Sequence, residues 1–185
     1  MVAKVVPFNA DIHKTQFFEM NLEFVEWSHE QILIHHGVDM SEGTGDAHEY
    51  VKSMVESFAL LKPPKGFVII LEDEKKPVGM GLVKTIGKGV GEVKRMYIRP
   101  EHRGMGYGKE IMQMLVKRAR EVGYSILRLE TADFMPAALK IYRSAGFKER
   151  GEYPGGEVPE WYRPYCIFME KTLTSNNDWQ HIPID

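Results

Sequence analysis

The run Arg103-Gly104-Met105-Gly106-Tyr107-Gly108-Lys109 stands between an apolar, strand-like segment ending at Ile98 and an amphipathic, helix-like segment beginning near Gly106. This order of strand, glycine-rich turn and helix constrains the chain more than any other stretch, because it builds an anion site from backbone alone. Amides in the first turn of a helix have no intrahelical partner, and the helix dipole places partial positive charge at that end. Alternating glycines tolerate positive φ and let the backbone curl those amides toward a ligand at close range. Three or four charge-assisted bonds of roughly 1.5–3 kcal/mol each give a gross gain comparable to about −8 kcal/mol, a micromolar affinity. Ordering costs reduce that figure, so a ligand held here needs contacts elsewhere too. A diphosphate group fits the junction.

The surrounding pattern predicts alternating helices and strands. Residues 11–36 carry Phe17, Met20, Phe24, Trp27 and Ile34 at loosely helical spacing before Gly37. Val51, Met54, Val55 and Phe58 repeat at i, i+3, i+4, i+7 behind a candidate Asp46 cap, with Pro63-Pro64 as a stop. Two β-rich runs, 67–71 and 78–86, flank the polar stretch 72–76 and suit a hairpin. Residues 92–98 read as a strand whose alternation slips, since Val93 and Met96 are three apart, and a β-bulge explains that slip. After the glycine run, Ile111, Met114, Leu115, Ala119 and Val122 form a helical stripe ended by Gly123, and 126–130 reads as a further strand. Pro136 suits the first turn of a helix with Ala138, Ile141, Tyr142 and Ala145 on its apolar side, ended by Gly146. Residues 165–169 read as a last strand and 151–164 as a surface loop. The expected organisation is one domain over 1–173, with N-terminal helices over 11–61 and a core over about 67–173, followed by a tail over 174–185.

Composition excludes several classes. The chain has 185 residues, 43% of them hydrophobic, which suffices for a packed core. Its 24 Lys and Arg against 26 Asp and Glu give a net charge of −2, with no global pull toward nucleic acid or a membrane. Cys166 is the single cysteine, so no intramolecular disulfide is possible. An N-terminal segment containing Lys4, Asp11 and His13 lacks the apolar core of a signal peptide, and a cytoplasmic location is the expectation. The adjacent His35 and His36 cannot share a helix face and lack partners at ligand spacing, so no metal site is expected.

Two nucleotide motifs fail on the glycine run. The Walker loop needs a glycine where Arg103 stands and Ser or Thr where Glu110 stands. The dinucleotide fingerprint begins well at Gly104 and Gly106, with Glu130 near the place of a ribose-binding acid, but Lys109 replaces its third glycine. That motif also opens its domain, whereas here about half the chain precedes it. A nicotinamide-binding reading stays as a remote alternative.

The run does match R-x-x-G-x-G at Arg103, Gly106 and Gly108, and residues 137–147, Ala-Ala-Leu-Lys-Ile-Tyr-Arg-Ser-Ala-Gly-Phe, match A-x-x-x-Y-x-x-x-G-F. In both segments and their order the chain resembles the GNAT superfamily of acyl-CoA-dependent N-acetyltransferases. The resemblance implies an α/β (α+β) fold: a mixed, mostly antiparallel sheet with splayed central strands and helices on both faces. It implies acetyl-CoA as donor, a small-molecule or peptide amine as acceptor, no metal, and a homodimer as one possible assembly. Met96, Tyr97 and Ile98 would offer backbone groups to the pantetheine, and Arg103, Gly104, Met105, Gly106, Tyr107, Gly108 and Lys109 would cradle the pyrophosphate. Lys109 and Arg99 read equally well as solvated charges. Tyr142 would be the general acid, although its place on the apolar stripe also suits a core tyrosine. Glu92 would be the base, with Glu130 second and a plain salt-bridged carboxylate as the other reading. Met135 stands where many members have Asn before the second helix, which removes a helix cap or cofactor contact. A non-catalytic acyl-CoA-binding module uses the same loop and is the main alternative. Acidic residues in 37–45 and 151–164 (Asp39, Glu42, Glu152, Glu157, Glu160) point toward a cationic acceptor such as a polyamine.

Overall fold

In the computed structural model, residues 3–155, 158 and 160–173 are described; the expected tail at 174–185 and Glu157 lie outside them. The chain runs β1 (Lys4–Pro7), α1 (Ala10–His36), α2 (Ser41–Thr44), α3 (Ala47–Ala59), β2 (Gly66–Asp73), β3 (Lys76–Gly87), β4 (Val90–Ile98), α4 (Tyr107–Val122), β5 (Ile126–Ala132), α5 (Pro136–Ser144), β6 (Lys148–Arg150) and β7 (Cys166–Thr172), with 3-10 turns at Pro100–His102 and Glu160–Tyr165. Among the described residues the strands form one sheet in the order β1-β2-β3-β4-β5-β7-β6. Every pairing is antiparallel except β4 with β5. A mostly antiparallel sheet is not the parallel, doubly wound sheet of a dinucleotide fold, which removes the nicotinamide alternative.

The uninterrupted apolar run of β2 is explained by its neighbours, since a strand covered on both faces needs no polar side. Phe67, Ile69 and Leu71 enter the core beneath α4 and α5, where they meet Ile111, Leu115 and Leu139. Val68 and Ile70 enter the opposite core, beneath α1 and α3, with Phe17, Met20, Val51, Val55 and Phe58. Each such side chain contributes about 1.5–3 kcal/mol by leaving water. Helix ends follow local chemistry: the Asp46 carboxylate accepts from the Glu49 amide at 3.0 Å, and Gly37 closes α1 at φ 67°.

The slip in alternation is a bulge. Leu82 faces Lys94 while Met80 faces Tyr97, so the β4 side of the ladder carries one residue more, and Arg95 sits there at φ 54°. Strands β4 and β5 pair only over Val90–Glu92 against Ile126–Arg128. Past Glu92 they diverge, and β5 continues along β7 as far as Ala132 opposite Cys166. The rest of β4 thus borders an open wedge. The sequence reading lacks β1 and β6, of four and three residues, and places the last strand at 165–169, whereas it runs Cys166–Thr172. Such short edge strands carry too little periodicity to stand out from loops.

Candidate active site

The glycine run forms the predicted junction. Gly104 and Gly106 adopt φ 81° and 84°, in the left-handed region, and a Cβ at either would meet nothing within 4 Å. Their requirement is therefore conformational rather than steric. The first helical bonds from the run are Lys109 and Glu110 to the Gly106 carbonyl; among the described residues, the amides of 104–108 donate to no carbonyl. The loop is exposed, with Met105 57% accessible. Unpaired amides, an exposed curl and the start of a 16-residue helix together fit a diphosphate. Gly108 plays a different part from its neighbours: it lies inside α4, and a Cβ there would stand 2.7 Å from the Ile141 Cδ1. It lets α4 approach α5.

Side chains around the loop hold its frame. Arg103 donates from Nε to the Ile98 carbonyl at 3.0 Å and lays its guanidinium over the Tyr97 and Trp27 rings. The Tyr107 hydroxyl turns away toward the Asp73 carboxylate at 3.4 Å. Tyr97 is buried, donates to Glu23 at 3.1 Å, and has its hydroxyl pushed up to about 12 by burial and the Glu23 charge. Arg99 is not a merely solvated charge, since its guanidinium meets Glu19 and Glu23 at 3.1 and 3.0 Å. Met96 borders the wedge between β4 and β5, and Ile98 packs against the α4 core. Lys109 is exposed.

The wedge contains a cavity of about 210 Å³. Its walls come from α1, the 40–50 region, β4, β5, and the segments around Phe134 and Tyr162. Tyr142 lines it from α5 and is otherwise buried, with Thr131 of β5 on the same cavity wall. Burial pushes its phenol to about 12, so it carries its proton through the neutral range. Cys166 also lines the cavity, but burial pushes its thiol to about 12, where it is a poor nucleophile. His29 lines the α1 side; burial, helped by the Arg95 charge and opposed by Asp39, holds it below its ordinary value and neutral at pH 7. No side chain caps α5 at Met135, as its departure from Asn implies.

The two candidate carboxylates separate. Glu92 is 0% exposed and does not line the cavity. One of its oxygens accepts from the Tyr153 hydroxyl at 2.8 Å and the other from Lys94 Nζ at 2.8 Å. Glu130 does line the cavity, with its carboxylate 3.6 Å from the same Lys94. Three of the loop acids are engaged elsewhere: Asp39 accepts from the Ser41 amide and hydroxyl, and Arg163 lies 3.4 Å from Glu152 and 4.0 Å from Glu160. His36 pairs with Asp133 at 2.9 Å and His35 stacks on Phe134, fastening the end of α1 to the loop after β5. Among the described residues no His, Cys, Asp and Glu cluster suits a metal ion.

The sequence profile described as the Acetyltransferase (GNAT) family matches residues 24–147. The chain belongs to the GNAT family. It is 30% identical over 141 residues to the uncharacterized N-acetyltransferase YsnE of Bacillus subtilis, an alignment covering 66% of this chain and 89% of that one. It is 39% identical over 97 residues to an IAA acetyltransferase of Azospirillum brasilense, covering 52% of this chain and 61% of that protein. An uncharacterized N-acetyltransferase of Schizosaccharomyces pombe is 33% identical, again with 61% of its length matched, so the chain spans less than two thirds of these two relatives. In fold, the chain matches a Klebsiella pneumoniae putative acyl-CoA N-acyltransferase at TM-score 0.68 and 23% identity, covering 94% of this chain and 99% of that one. It also matches Salmonella typhimurium YncA, solved with acetyl-CoA, at TM-score 0.64 and 16% identity over 100% and 99% of the two chains.

Within this GNAT scaffold, sequence reasoning missed His29, Arg95 and Phe134 as cavity residues. His29 lies in α1, whose apolar spacing is irregular enough to hide which face is inward. The bulge that aims Arg95 was legible, but the direction it gives that side chain was not.

Proposed function

We propose that this protein transfers the acetyl group of acetyl-CoA to a primary amine, on a small molecule or a peptide, by direct attack. The observation that carries the reading is the meeting of three features at one wedge. A protonated Tyr142 and the Glu130 carboxylate border the same cavity, and Val93–Met96 of β4, the strand that ends at Ile98 shortly before the glycine run, line it too. The relative solved with acetyl-CoA shares this fold, and acetyl-CoA is the donor we assign here.

The amides of 104–108, which donate to no carbonyl among the described residues, hold the pyrophosphate with Arg103 beside them, and the backbone of Met96, Tyr97 and Ile98 pairs with the pantetheine as an added strand. Glu130 accepts the proton that the attacking amine gives up as its nitrogen bonds to the acetyl carbonyl carbon. As the carbon–sulfur bond breaks, Tyr142 donates its proton to the departing thiolate and regains one from solvent. Glu92 acts from behind: by fixing Lys94 it sets the charge that Glu130 faces. It is a positioning residue for the base. Holding donor and amine together supplies the largest share of the acceleration, and the proton steps add to it.

Acetyl-CoA-dependent thiol release across a panel of amines, with Tyr142→Phe alongside wild type, tests the reading. Amine-dependent release that falls on the order of 10²-fold in the variant, with CoA affinity kept, is expected. Full activity in Tyr142→Phe removes the acid assignment.

A further inference from the structure

We infer that the acceptor carries a carboxylate beside its amine, and that Arg95 binds it. The inference rests on the acetyl-transfer reading above and names the substrate class of that same cavity.

Arg95 sits at the β4 bulge with φ 54°, and it lines the cavity together with Glu130, His29 and Tyr142. Its guanidinium offers five N–H donors in a planar fork. Nε and Nη2 point at the Met54 sulfur, at 3.2 and 2.6 Å, and sulfur is a weak acceptor. The same group lies 5.6 Å from the Phe24 ring and 5.9 Å from the Phe58 ring. Among the described residues no carboxylate stands within ion-pair distance of it. The contrast with its neighbours is chemical: Arg99 meets Glu19 and Glu23, Arg128 and Arg150 share Glu170, and Lys94 meets Glu92 and Glu130. A partly buried guanidinium held by rings and sulfur has unspent donors, and its planar fork matches a carboxylate in a bidentate pair.

The donor's phosphates do not fill this role. Arg95 precedes Ile98 by three residues, about 10 Å of strand, and the pyrophosphate cradle begins beyond that. Neutral His29 beside Arg95 adds no competing charge, and Lys94 is already tied to two carboxylates. An acceptor oriented with its carboxylate on Arg95 turns its amine toward Glu130, and the remaining walls are mostly apolar, with Phe24, Ile32, Met40, Phe134 and Val158 beside the hydroxyl groups of Ser28, Thr44 and Tyr50. A volume of about 210 Å³ limits the acceptor to a compact one. The chemical class is an amino acid with an apolar side chain. A polyamine lacks the anion, and of the loop acids that suggested one, Glu152 and Glu160 face Arg163 and none lines the cavity among the described residues.

The test compares kcat/KM for phenylalanine and methionine with that for phenethylamine, phenylalaninamide, spermidine and an alanine-led peptide, using wild type, Arg95→Lys and Arg95→Met. CoA-induced thermal stabilisation checks that each variant is folded. The expected result is at least a tenfold preference of wild type for the free amino acids over their carboxylate-free analogues. In both variants KM for the amino acids rises about tenfold while phenethylamine is unaffected. Equal or better turnover of phenethylamine, spermidine or the peptide overturns the carboxylate inference and leaves acetyl transfer standing. Failure of every amine to be acetylated, in a protein that CoA still stabilises, overturns both.

Discussion

Tyr142 shows how far single residues could be read from the sequence. Its apolar stripe pointed to a core tyrosine and its family position to a general acid; its body lies in the α4 core and it also borders the cavity, the position that the acid role we propose requires. With its phenol held near 12 by burial, no basic limb below that pH in the rate profile comes from its ionisation in the free enzyme. The two glutamates were not separable by sequence, because both occupy strands beside the wedge and only the divergence after Glu92 decides which faces it. Glu130→Gln is expected to lose the acidic limb of the pH–rate profile, and an unchanged limb would take the base role from Glu130. Glu92→Gln is expected to cost stability instead, about 3 kcal/mol, because Lys94 stays buried without its nearest counter-charge; a denaturant melt measures it. The glycines divide likewise. Gly106→Ala forces an L-residue to φ 84° and costs about 1–2 kcal/mol, so CoA affinity should fall with the loop geometry. Gly108→Ala presses on Ile141, the residue before Tyr142, and should lower kcat more than affinity.

At the scale of elements, periodicity found α3, α4 and β5 because each buries a regular face, an uninterrupted apolar run found β2, and the β4 bulge showed because a slip in alternation has few other causes. It missed β1 and β6, whose existence depends on partners distant in sequence rather than on their own three or four residues. The β5–β7–β6 edge is tied by Glu170, which accepts from Arg128 at 2.8 Å and from Arg150. Burial opposes its charge, but the hydrogen bonds from both arginines outweigh that and hold its carboxyl below the usual range. A folded-state pKa below the unfolded one contributes stability above the unfolded value, and that contribution is lost as pH falls through the folded one. Glu170→Gln is therefore expected to lose about 1 kcal/mol at neutral pH, solvent screening included, and the gap to wild type should close in acid. A gap that persists at low pH would assign the loss to packing.

For the whole molecule, the two cores on opposite faces of one sheet leave the β4–β5 wedge as the place where sheet pairing is interrupted, and the cavity of about 210 Å³ lies there. The glycine turn and its left-handed Gly104 and Gly106 were legible because they are written in consecutive residues. The cavity was not, since its walls come from α1, β4, β5 and the segments near 134 and 162, which only folding brings together. Among the described residues no helix is long and apolar enough to cross a membrane. Saturation with CoA at 100 times its dissociation constant should stabilise the fold by about 2.7 kcal/mol, read as a rise in melting temperature. That outcome is shared by a silent binding module. Mass-resolved detection of N-acetylated amine, alongside thiol release from acetyl-CoA, separates the two most directly. Equal amounts of N-acetyl product and free CoA, formed only when an amine is present, are the predicted result. CoA-dependent stabilisation without any acetylated amine would contradict it.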